Sequence, residues 1–153
     1  MKTARLAPMS LLLAALAGCA AHLPAERNKE VARRAFDQVL EKGHFEVVPE
    51  VYAPDFRNGT ATLEQDMAAL RAWHSVLPAD AVIRPDLVLG EGDYVTVLWT
   101  ARATVKGSPL NGRGITIWRF ENGRIREEWS QFDQERWMRE LGLESLGSGE
   151  PKR

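Results

Sequence analysis

One stretch near the C-terminus, residues 123–133, places acidic residues where a strand would face apolar surroundings. Its sequence is GRIREEWSQFD. Alternate residues of a strand share one face, and one face of this strand would carry Ile125, Glu127, Trp129, Gln131 and Asp133. A buried carboxylate without a partner is costly. Acids on such a face therefore indicate either that the face lines a functional pocket or that the alternation does not predict the two faces correctly.

The turn Asn122-Gly123 pairs this stretch with the strand before it. Asn-Gly is a strong hairpin signal, because both central residues of a type I′ turn need a positive φ. A regular ladder from this turn predicts three cross-strand pairs: Phe120 with Ile125, Trp118 with Glu127, and Thr116 with Trp129. We expect helices to cover this face. A register slip of one residue would exchange the two faces of the hairpin.

Helices precede these strands along the chain. Apolar residues at helical spacing predict helices over Glu26–Lys42 and Phe45–Tyr52, and a third that Thr62 caps in a capping box with Gln65. Extended runs predict a brief strand and four longer ones: Asp55–Gly59, Ala81–Leu89, Tyr94–Lys106, Gly114–Glu121 and Arg124–Asp133. A last short helix is expected over Glu135–Leu141. This order indicates an α+β domain with helices packed on one face of a curved antiparallel sheet.

The first 18 residues have the pattern of a signal peptide. Basic Lys2 and Arg5 precede an apolar run that is too short to span a membrane. The following Leu16-Ala17-Gly18-Cys19 resembles the lipobox of bacterial lipoproteins. That resemblance implies cleavage before Cys19, lipidation of its sulfur and acylation of its amino group, with palmitate as a typical chain. The alternative is an ordinary secretory signal in which Cys19 is incidental.

The lipobox implies a place in the bacterial cell envelope, with the protein anchored to a membrane by its lipid. The residue after the cysteine is Ala20, whereas an aspartate there would change the membrane to which the lipoprotein is sorted. In a Gram-negative host we therefore expect the protein on the outer membrane, facing the periplasm. The expected organisation is a signal peptide over 1–18, a lipidated tether over 19–25, a pocket domain over 26–143 and a disordered tail over 144–153.

Composition excludes several classes of function. The signal peptide takes two of the 20 basic side chains and none of the 21 acidic ones, so the mature chain is mildly acidic. It has no basic run, and we predict no nucleic-acid partner. Cys19 is the only cysteine, and a lipidated Cys19 leaves no disulfide.

The sequence predicts neither a metal nor an organic cofactor. No histidine or acid spacing is typical of a metal site, and no glycine-rich phosphate loop or nucleophile elbow occurs. Of the three histidines, His74 falls on the inward stripe of the third helix beside Met67 and Leu70. It is either a pocket residue or a core side chain whose ring nitrogens are satisfied by hydrogen bonds.

Several short motifs, in their order, resemble the SnoaL-like polyketide cyclase group. They are Tyr52-Ala53-Pro54-Asp55-Phe56, Leu77-Pro78-Ala79-Asp80, Gly92-Asp93-Tyr94-Val95, Trp99-Thr100, Ile117-Trp118-Arg119-Phe120, Asn122-Gly123-Arg124-Ile125, Glu127, Trp129, Asp133 and Leu141-Gly142. This group belongs to the nuclear transport factor 2-like, or cystatin-like, α+β superfamily. The resemblance covers residues 28–142 and implies a cone-shaped pocket between the curved sheet and the helices.

The resemblance also implies roles for single residues. In the cyclases of this group, an acid at the place of Asp133 is the general acid/base of an aldol ring closure that uses no cofactor. Trp118 and Trp129 would be aromatic walls, Gln131 would orient a carbonyl, and Glu127 would hydrogen-bond within the pocket. Asp133 has an alternative role as the N-cap of the following helix, and Glu127 an alternative as a structural partner of a buried donor.

One departure from the family pattern bears on activity. Many members have Gly-Thr-His-x-Gly where this chain has Ala103-Thr104-Val105-Lys106-Gly107, and the following loop Pro109–Arg113 also differs. Val105 removes the obvious second proton carrier.

Two hypotheses of function follow. The first is an anchored domain that binds a small hydrophobic ligand without catalysis, which the lipid anchor and Val105 favour. The second is a cofactor-independent cyclase, isomerase or hydrolase acting on a hydrophobic carbonyl compound through Asp133. By resemblance, and because the outer face of the hairpin is apolar far from the turn at Ile115, Ile117 and Phe132, we also expect a homodimer.

Overall fold

The structure is a computed structural model that describes residues 24–142. The expected signal peptide, the lipidation site Cys19 and the C-terminal tail lie outside the described residues. Within residues 24–142, no helix is both long enough and apolar enough to cross a membrane.

Residues 24–142 contain four helices, at the places where the sequence predicts them. Helix α1 is helical over 24–34 and continues as a π-helical segment, so it includes two residues before the predicted start at Glu26. A 3₁₀ turn, Phe45–Val47, leads directly into α2. The remaining bounds are Ala35–Glu41 for the π-helical segment, Val48–Val51 for α2, Leu63–His74 for α3 and Gln134–Glu140 for α4.

Six strands form one curved sheet on which the helices pack. Their bounds are Tyr52–Asn58 for β1, Ala61–Thr62 for β2, Val82–Glu91 for β3, Tyr94–Val105 for β4, Ser108–Glu121 for β5 and Arg124–Phe132 for β6. The strand order is β2-β1-β6-β5-β4-β3. Neighbouring strands are antiparallel except β1 and β6, which are parallel. The predicted α+β fold is confirmed, with this one parallel pair as a correction to an antiparallel sheet.

Two strands are longer than the sequence indicates. Strand β1 begins at Tyr52 and contains Pro54, whereas we expected a helix to reach Tyr52 and a strand to start at Asp55. Strand β5 begins at Ser108, so the predicted loop Pro109–Arg113 is part of a strand. The reason is a two-residue turn at Lys106 and Gly107, with φ of 50° and 78°. Lysine seldom occupies positive φ, so this turn has no strong sequence signal.

The core lies between the helices and the sheet. Phe36 and Val39 from α1 and Val51 from α2 pack against a sheet surface that includes Trp118 and Phe120, and all five are at most 2% exposed. Burying each such side chain contributes roughly 1.5–3 kcal/mol relative to leaving it in water. This packing fixes the helices over one face of the sheet.

The predicted capping box of α3 is confirmed. The hydroxyl of Thr62 accepts a 3.3 Å hydrogen bond from the Gln65 backbone N–H, and the Gln65 side chain accepts one of 2.9 Å from the Thr62 N–H. These two bonds satisfy backbone donors that the helix itself leaves free. The start of α3 is therefore fixed, and so is the position of Asp66 one residue beyond Gln65.

The β5–β6 hairpin has the predicted turn but a different register. Asn122 and Gly123 have φ of 51° and 75°, and Phe120 pairs with Ile125 as expected. The ladder then shifts, so that Arg119 pairs with Glu127 and Arg126 is an extra residue on β6. Beyond this bulge the pairs are Trp118 with Glu128, Ile117 with Trp129 and Thr116 with Ser130. The predicted pairs Trp118–Glu127 and Thr116–Trp129 are wrong by one residue.

Interactions of the extra residue, Arg126, stabilise the bulge. Its guanidinium forms a 2.9 Å ion pair with Asp55 of β1 and a 3.3 Å ion pair with Glu121 of β5. It also donates a hydrogen bond to the backbone carbonyl of Asp55. Because Arg126 has no partner on β5, the alternation of faces along β6 is shifted by one residue after it. Glu128 rather than Glu127 therefore points to the helix-covered side.

Candidate functional site

A cavity of about 570 Å³ lies between the sheet and the helices α1, α3 and α4. Its apolar walls include Phe36, Leu70, Trp73, Trp99, Phe132 and Trp137. Its polar lining includes Asn58, Asp66, Thr116, Glu128, Ser130 and Gln131. A largely apolar cavity with aromatic walls and a few converging polar groups is the usual form of a small-molecule site.

Glu128 of β6 is the best-held polar group in this lining. The indole Nε1 of Trp118 donates a 2.7 Å hydrogen bond to Glu128 Oε2, and the Ser130 hydroxyl donates one of 2.7 Å to Oε1. The pKa of Glu128 is raised to about 7, mainly by removal from bulk water and also by the charge of Asp66, although the two hydrogen bonds lower it. Such a carboxyl exchanges its proton near neutral pH.

A chain of hydroxyls leads from the wall of the cavity to this carboxyl. The indole Nε1 of Trp99 donates to the Thr116 hydroxyl at 3.0 Å, and the Thr116 and Ser130 hydroxyls are 2.8 Å apart. Ser130 gives its single proton to Glu128, so Thr116 is the donor in the Thr116–Ser130 bond. Every proton in this chain is directed towards Glu128, an order that suits an ionised carboxylate.

Asp66 of α3 lines the same cavity. The Asn58 side chain donates a 2.9 Å hydrogen bond to Asp66 Oδ1, and Asn58 is the neighbour of Glu128 in the β1–β6 register. Burial raises the pKa of Asp66, while the bond from Asn58 lowers it. The site therefore contains two carboxyls, from a helix and a strand, that influence each other's ionisation.

The structure places two predicted pocket residues, Glu127 and Trp129, on the opposite face of the sheet. Glu127 receives two hydrogen bonds from Arg119, of 2.7 and 3.1 Å, and this guanidinium holds the pKa of Glu127 below its usual range. The Trp129 side chain is 48% exposed. The prediction that they line the pocket is wrong, because the bulge at Arg126 moves them to the other face. The alternative of a structural role for Glu127 is supported in part: Arg119 is its partner, but this donor is partly exposed on the outer face and not buried.

Trp118 and Gln131 have positions that the prediction matches only partly. Trp118 is fully buried in the core, where it packs against Phe36 with ring centroids 5.2 Å apart, and it is absent from the cavity lining. It contributes to the site through its Nε1–H donor. Gln131 does line the cavity, near the end of β6.

Asp133 caps helix α4. Its Oδ1 accepts a 3.2 Å hydrogen bond from the Arg136 backbone N–H, and the residue is exposed and absent from the cavity lining. The N-cap role left open by the sequence is the one the geometry supports. The general acid/base role of Asp133 has no geometric support, because the residue is not part of the cavity wall.

His74 and Val105 also lie away from the cavity lining. The His74 ring makes an edge contact with Phe45, at 5.7 Å between centroids, and packs against Gly43. Its Nε2 is buried without a hydrogen-bond partner within the described chain. Val105 ends β4 opposite Ser108 and packs in a second apolar cluster with Trp137.

The sequence predicted Thr116 on the helix-covered face, but it did not predict the polar site residues Asn58, Asp66, Glu128 and Ser130. A signal for two of them exists, since the shifted register would have placed Glu128 and Ser130 with Thr116 on the face of Trp118. Asp66 gives no such signal, because an acid in the first turn of a helix is ordinarily a solvated residue that favours the helix dipole. Within residues 24–142, no three His, Cys, Asp or Glu residues are grouped so that they could hold a metal ion.

Comparisons with known proteins agree with this architecture. A candidate SnoaL-like polyketide cyclase from Jannaschia sp. CCS1 has a TM-score of 0.65 and 21% identity, over 83% of this chain and 95% of that one. IdmH from Streptomyces antibioticus, a candidate polyketide cyclase, has a TM-score of 0.63 and 20% identity, over 75% of this chain and 98% of that one. AclR from Streptomyces galilaeus, a candidate hydroxylase, has a TM-score of 0.63 and 14% identity, over 77% and 97%.

These structures show the shared nuclear transport factor 2-like fold, and their names cover more than one kind of chemistry. A search of curated proteins found no match. The family model of the SnoaL-like domain matches residues 32–128, from within α1 to Glu128 of β6, and this range includes Asp66, Thr116 and Glu128 of the cavity lining. The chain therefore belongs to the SnoaL-like domain family.

Proposed function

We propose that the domain binds a small hydrophobic ligand in its cavity and holds a polar group of that ligand at Glu128. The observation that carries this proposal is the position of the Glu128 carboxyl, fixed by Trp118 and Ser130 at the wall of a cavity lined mainly by apolar residues. A cavity of about 570 Å³ has the volume of a small-molecule site.

Native mass spectrometry of the purified full chain tests ligand binding. Ala69 lines the cavity and is exposed, whereas its neighbour Ala68 on α3 is exposed and is not in the lining. Ala69→Trp should block the cavity and remove any co-purified small molecule, and Ala68→Trp should retain it. Equal ligand content in both variants would place the bound molecule elsewhere.

A second candidate function is proton transfer, with Glu128 as general acid/base. A pKa of about 7 favours this candidate, because the carboxylate can accept a proton from a carbon next to a carbonyl and return it. In that step Glu128 takes the proton, the C–H electron pair becomes the C=C π bond of the enolate and the carbonyl π pair moves to the oxygen; return of the proton from Glu128 to carbon reverses these shifts and restores the C–H bond. It needs neither Asp133 nor a histidine at position 105.

Deuterium exchange at the α-carbon of 2-tetralone, followed by NMR, tests the catalytic candidate. Wild type should accelerate exchange, and Glu128→Gln should lower the rate by about 10²-fold. Glu127→Gln, on the opposite face, is the matched control and should keep the wild-type rate. If wild type does not accelerate exchange although it binds 2-tetralone, only the binding function stands.

We also propose that two copies associate through the face of the sheet opposite the helices. Exposed apolar side chains support this, and they lie side by side on neighbouring strands: Leu87 pairs with Leu98, and Ile117 pairs with the exposed Trp129. Leu98→Asp should shift a dimer to a monomer in analytical ultracentrifugation. A monomeric wild type at micromolar concentration would exclude a stable dimer.

Lipid anchoring remains a proposal that rests on the lipobox pattern around Cys19. It would hold the cavity close to a membrane surface, because only a short tether separates Cys19 from α1. Cys19→Ser should release the protein from the membrane fraction or block its processing. Unchanged membrane association and mass of this variant would favour a signal peptide without lipidation.

A further inference from the structure

We propose that the ligand of this cavity carries a protonated amine, which binds between the carboxyls of Asp66 and Glu128. This inference rests on the ligand-binding function above and names the chemical class of that ligand. It does not depend on the catalytic candidate.

The charge of the lining is the first argument. Asp66 and Glu128 are the only ionisable side chains among the described residues of the cavity wall, which contains no arginine, lysine or histidine. A carboxylate ligand would be repelled, and a neutral ligand would leave the carboxyl charge without a counter-charge beside a mainly apolar wall. An organic cation compensates this charge.

Unused hydrogen-bonding capacity is the second argument. Asn58 donates to Oδ1 of Asp66, and no donor in residues 24–142 bonds to the other oxygen, Oδ2. The charges of both Glu128 and Asp66 raise the pKa of Tyr52 beyond the effect of its burial, so Tyr52 lies within electrostatic range of both carboxyls. Tyr52 is 1% exposed, and its hydroxyl has no hydrogen-bond partner within the described chain. Within residues 24–142, the cavity wall therefore supplies neither a donor to Oδ2 nor a positively charged side chain.

The aromatic walls are the third argument. Trp73, Trp99 and Trp137 line the cavity, and the Trp73 and Trp137 rings lie 5.6 Å apart. Indole faces attract cations more strongly than other aromatic side chains do. Walls of this kind with a carboxyl pair are suited to an amine attached to an aromatic or aliphatic ring system.

Binding of a cation should depend on pH in a defined direction. Asp66 from α3 and Tyr52 from β1 are the titratable groups of the described chain whose ionisation is coupled to that of Glu128. An ammonium favours the ionised form of Glu128, so binding below its pKa of about 7 must release a proton. Affinity for an amine should therefore rise with pH until Glu128 is ionised.

Three probes with the same indole ring test this inference by isothermal titration calorimetry on the full chain. Tryptamine is a cation, tryptophol is its neutral alcohol analogue, and indole-3-acetate is an anion. At about pH 8 we expect tryptamine to bind about tenfold more tightly than tryptophol, equivalent to one charged contact. Indole-3-acetate should bind most weakly, and the preference for tryptamine should decrease at about pH 6.

Variants assign the preference to the two carboxyls. Asp66→Asn and Glu128→Gln should each remove most of the preference for tryptamine while keeping the affinity for tryptophol. Glu127→Gln is the matched control and should behave as wild type. Loss of tryptophol binding in a variant would reveal a damaged cavity, and Ser130→Ala then provides a milder change at the same carboxyl.

The outcomes separate this inference from the function on which it rests. If tryptophol binds as tightly as tryptamine, or if the carboxyl variants keep the preference, the amine assignment is overturned and ligand binding stands. If none of the three probes binds and no ligand co-purifies, both fail.

Discussion

Trp118 and Glu128 lie opposite each other in the β5–β6 hairpin, and the indole Nε1 of Trp118 donates a 2.7 Å hydrogen bond to Glu128 Oε2. The same indole packs against Phe36 and Tyr52, with centroids 5.2 and 6.4 Å away. One residue therefore belongs to the core through its ring and to the site through its donor. The position of the carboxyl is fixed by the packing of the fold rather than by a loop.

The first prediction concerns stability and pH. The pKa of Glu128 is raised from 4.5 to about 7, so between these values the folded chain holds a proton that the unfolded chain has lost. This difference in proton binding contributes to the free energy of unfolding. Its contribution is fully present below about pH 4.5 and is lost as the pH rises to about 7. Its upper limit is about 3 kcal/mol. Urea unfolding of Glu128→Gln should show a weaker decrease in stability over this range than wild type.

The control for that measurement is Glu127→Gln, which removes the other glutamate of the pair and keeps Glu128. It should retain the wild-type decrease. Identical pH profiles for wild type and Glu128→Gln would mean that Glu128 has an ordinary pKa in the folded protein.

The second prediction concerns the hydroxyl chain. Ser130→Ala removes the donor to Glu128 Oε1, so the pKa of Glu128 should rise further, as seen in ¹³C NMR of its carboxyl. The Thr116 hydroxyl, which is buried, loses its acceptor, and this should cost about 1 kcal/mol of unfolding free energy. An unchanged carboxyl titration would show that the hydroxyl does not contact Glu128 in solution.

The third prediction separates two roles of Asp133. Asparagine caps helices about as well as aspartate, whereas alanine does not. Asp133→Asn should therefore keep wild-type stability, and Asp133→Ala should lose about 1 kcal/mol in thermal or urea unfolding. A general acid/base role would instead make both variants lose activity in the exchange assay to the same extent.

The fourth prediction concerns the close approach of a strand to an indole. A Cβ atom on Gly114 would lie 2.2 Å from Cζ2 of Trp99. Gly114→Ala should therefore displace Trp99 from Thr116 and cost about 1–3 kcal/mol. Trp99→Phe removes the colliding atoms, so the double variant should be less unstable than the sum of the two single changes. Strict additivity would contradict the contact.

Much of the fold could be predicted from the sequence because its signals are local. The Thr62–Gln65 capping box and the Asn122-Gly123 turn each depend on a few adjacent residues, and both are confirmed. The family resemblance predicted the cone-shaped arrangement of the curved sheet and the helices. Helix and strand order then required little more than apolar periodicity.

The site could not be predicted with the same success, because its residues depend on a single irregularity. The bulge at Arg126 is stabilised by Asp55, far away in the sequence, and no local pattern marks it. Alternation read without the bulge places Glu127 and Trp129 in the pocket and Glu128 outside it. Asp66 depends on the packing of α3 over the sheet, which sequence periodicity does not resolve.

The extra residue in β6 also affects how the site would respond to a change of register. A one-residue slip of β6 that paired Arg126 with Arg119 would turn Glu127 inward in place of Glu128, so the wall would still contain a carboxyl. The same slip would bring Trp129 into the cavity and bury Gln131 in place of Ser130, changing the size and hydrogen bonding of the interior. Two consecutive glutamates thus let a register slip reshape the binding site while its acidic group is preserved, whereas deletion of Arg126 would remove the bulge and keep Glu128 inward.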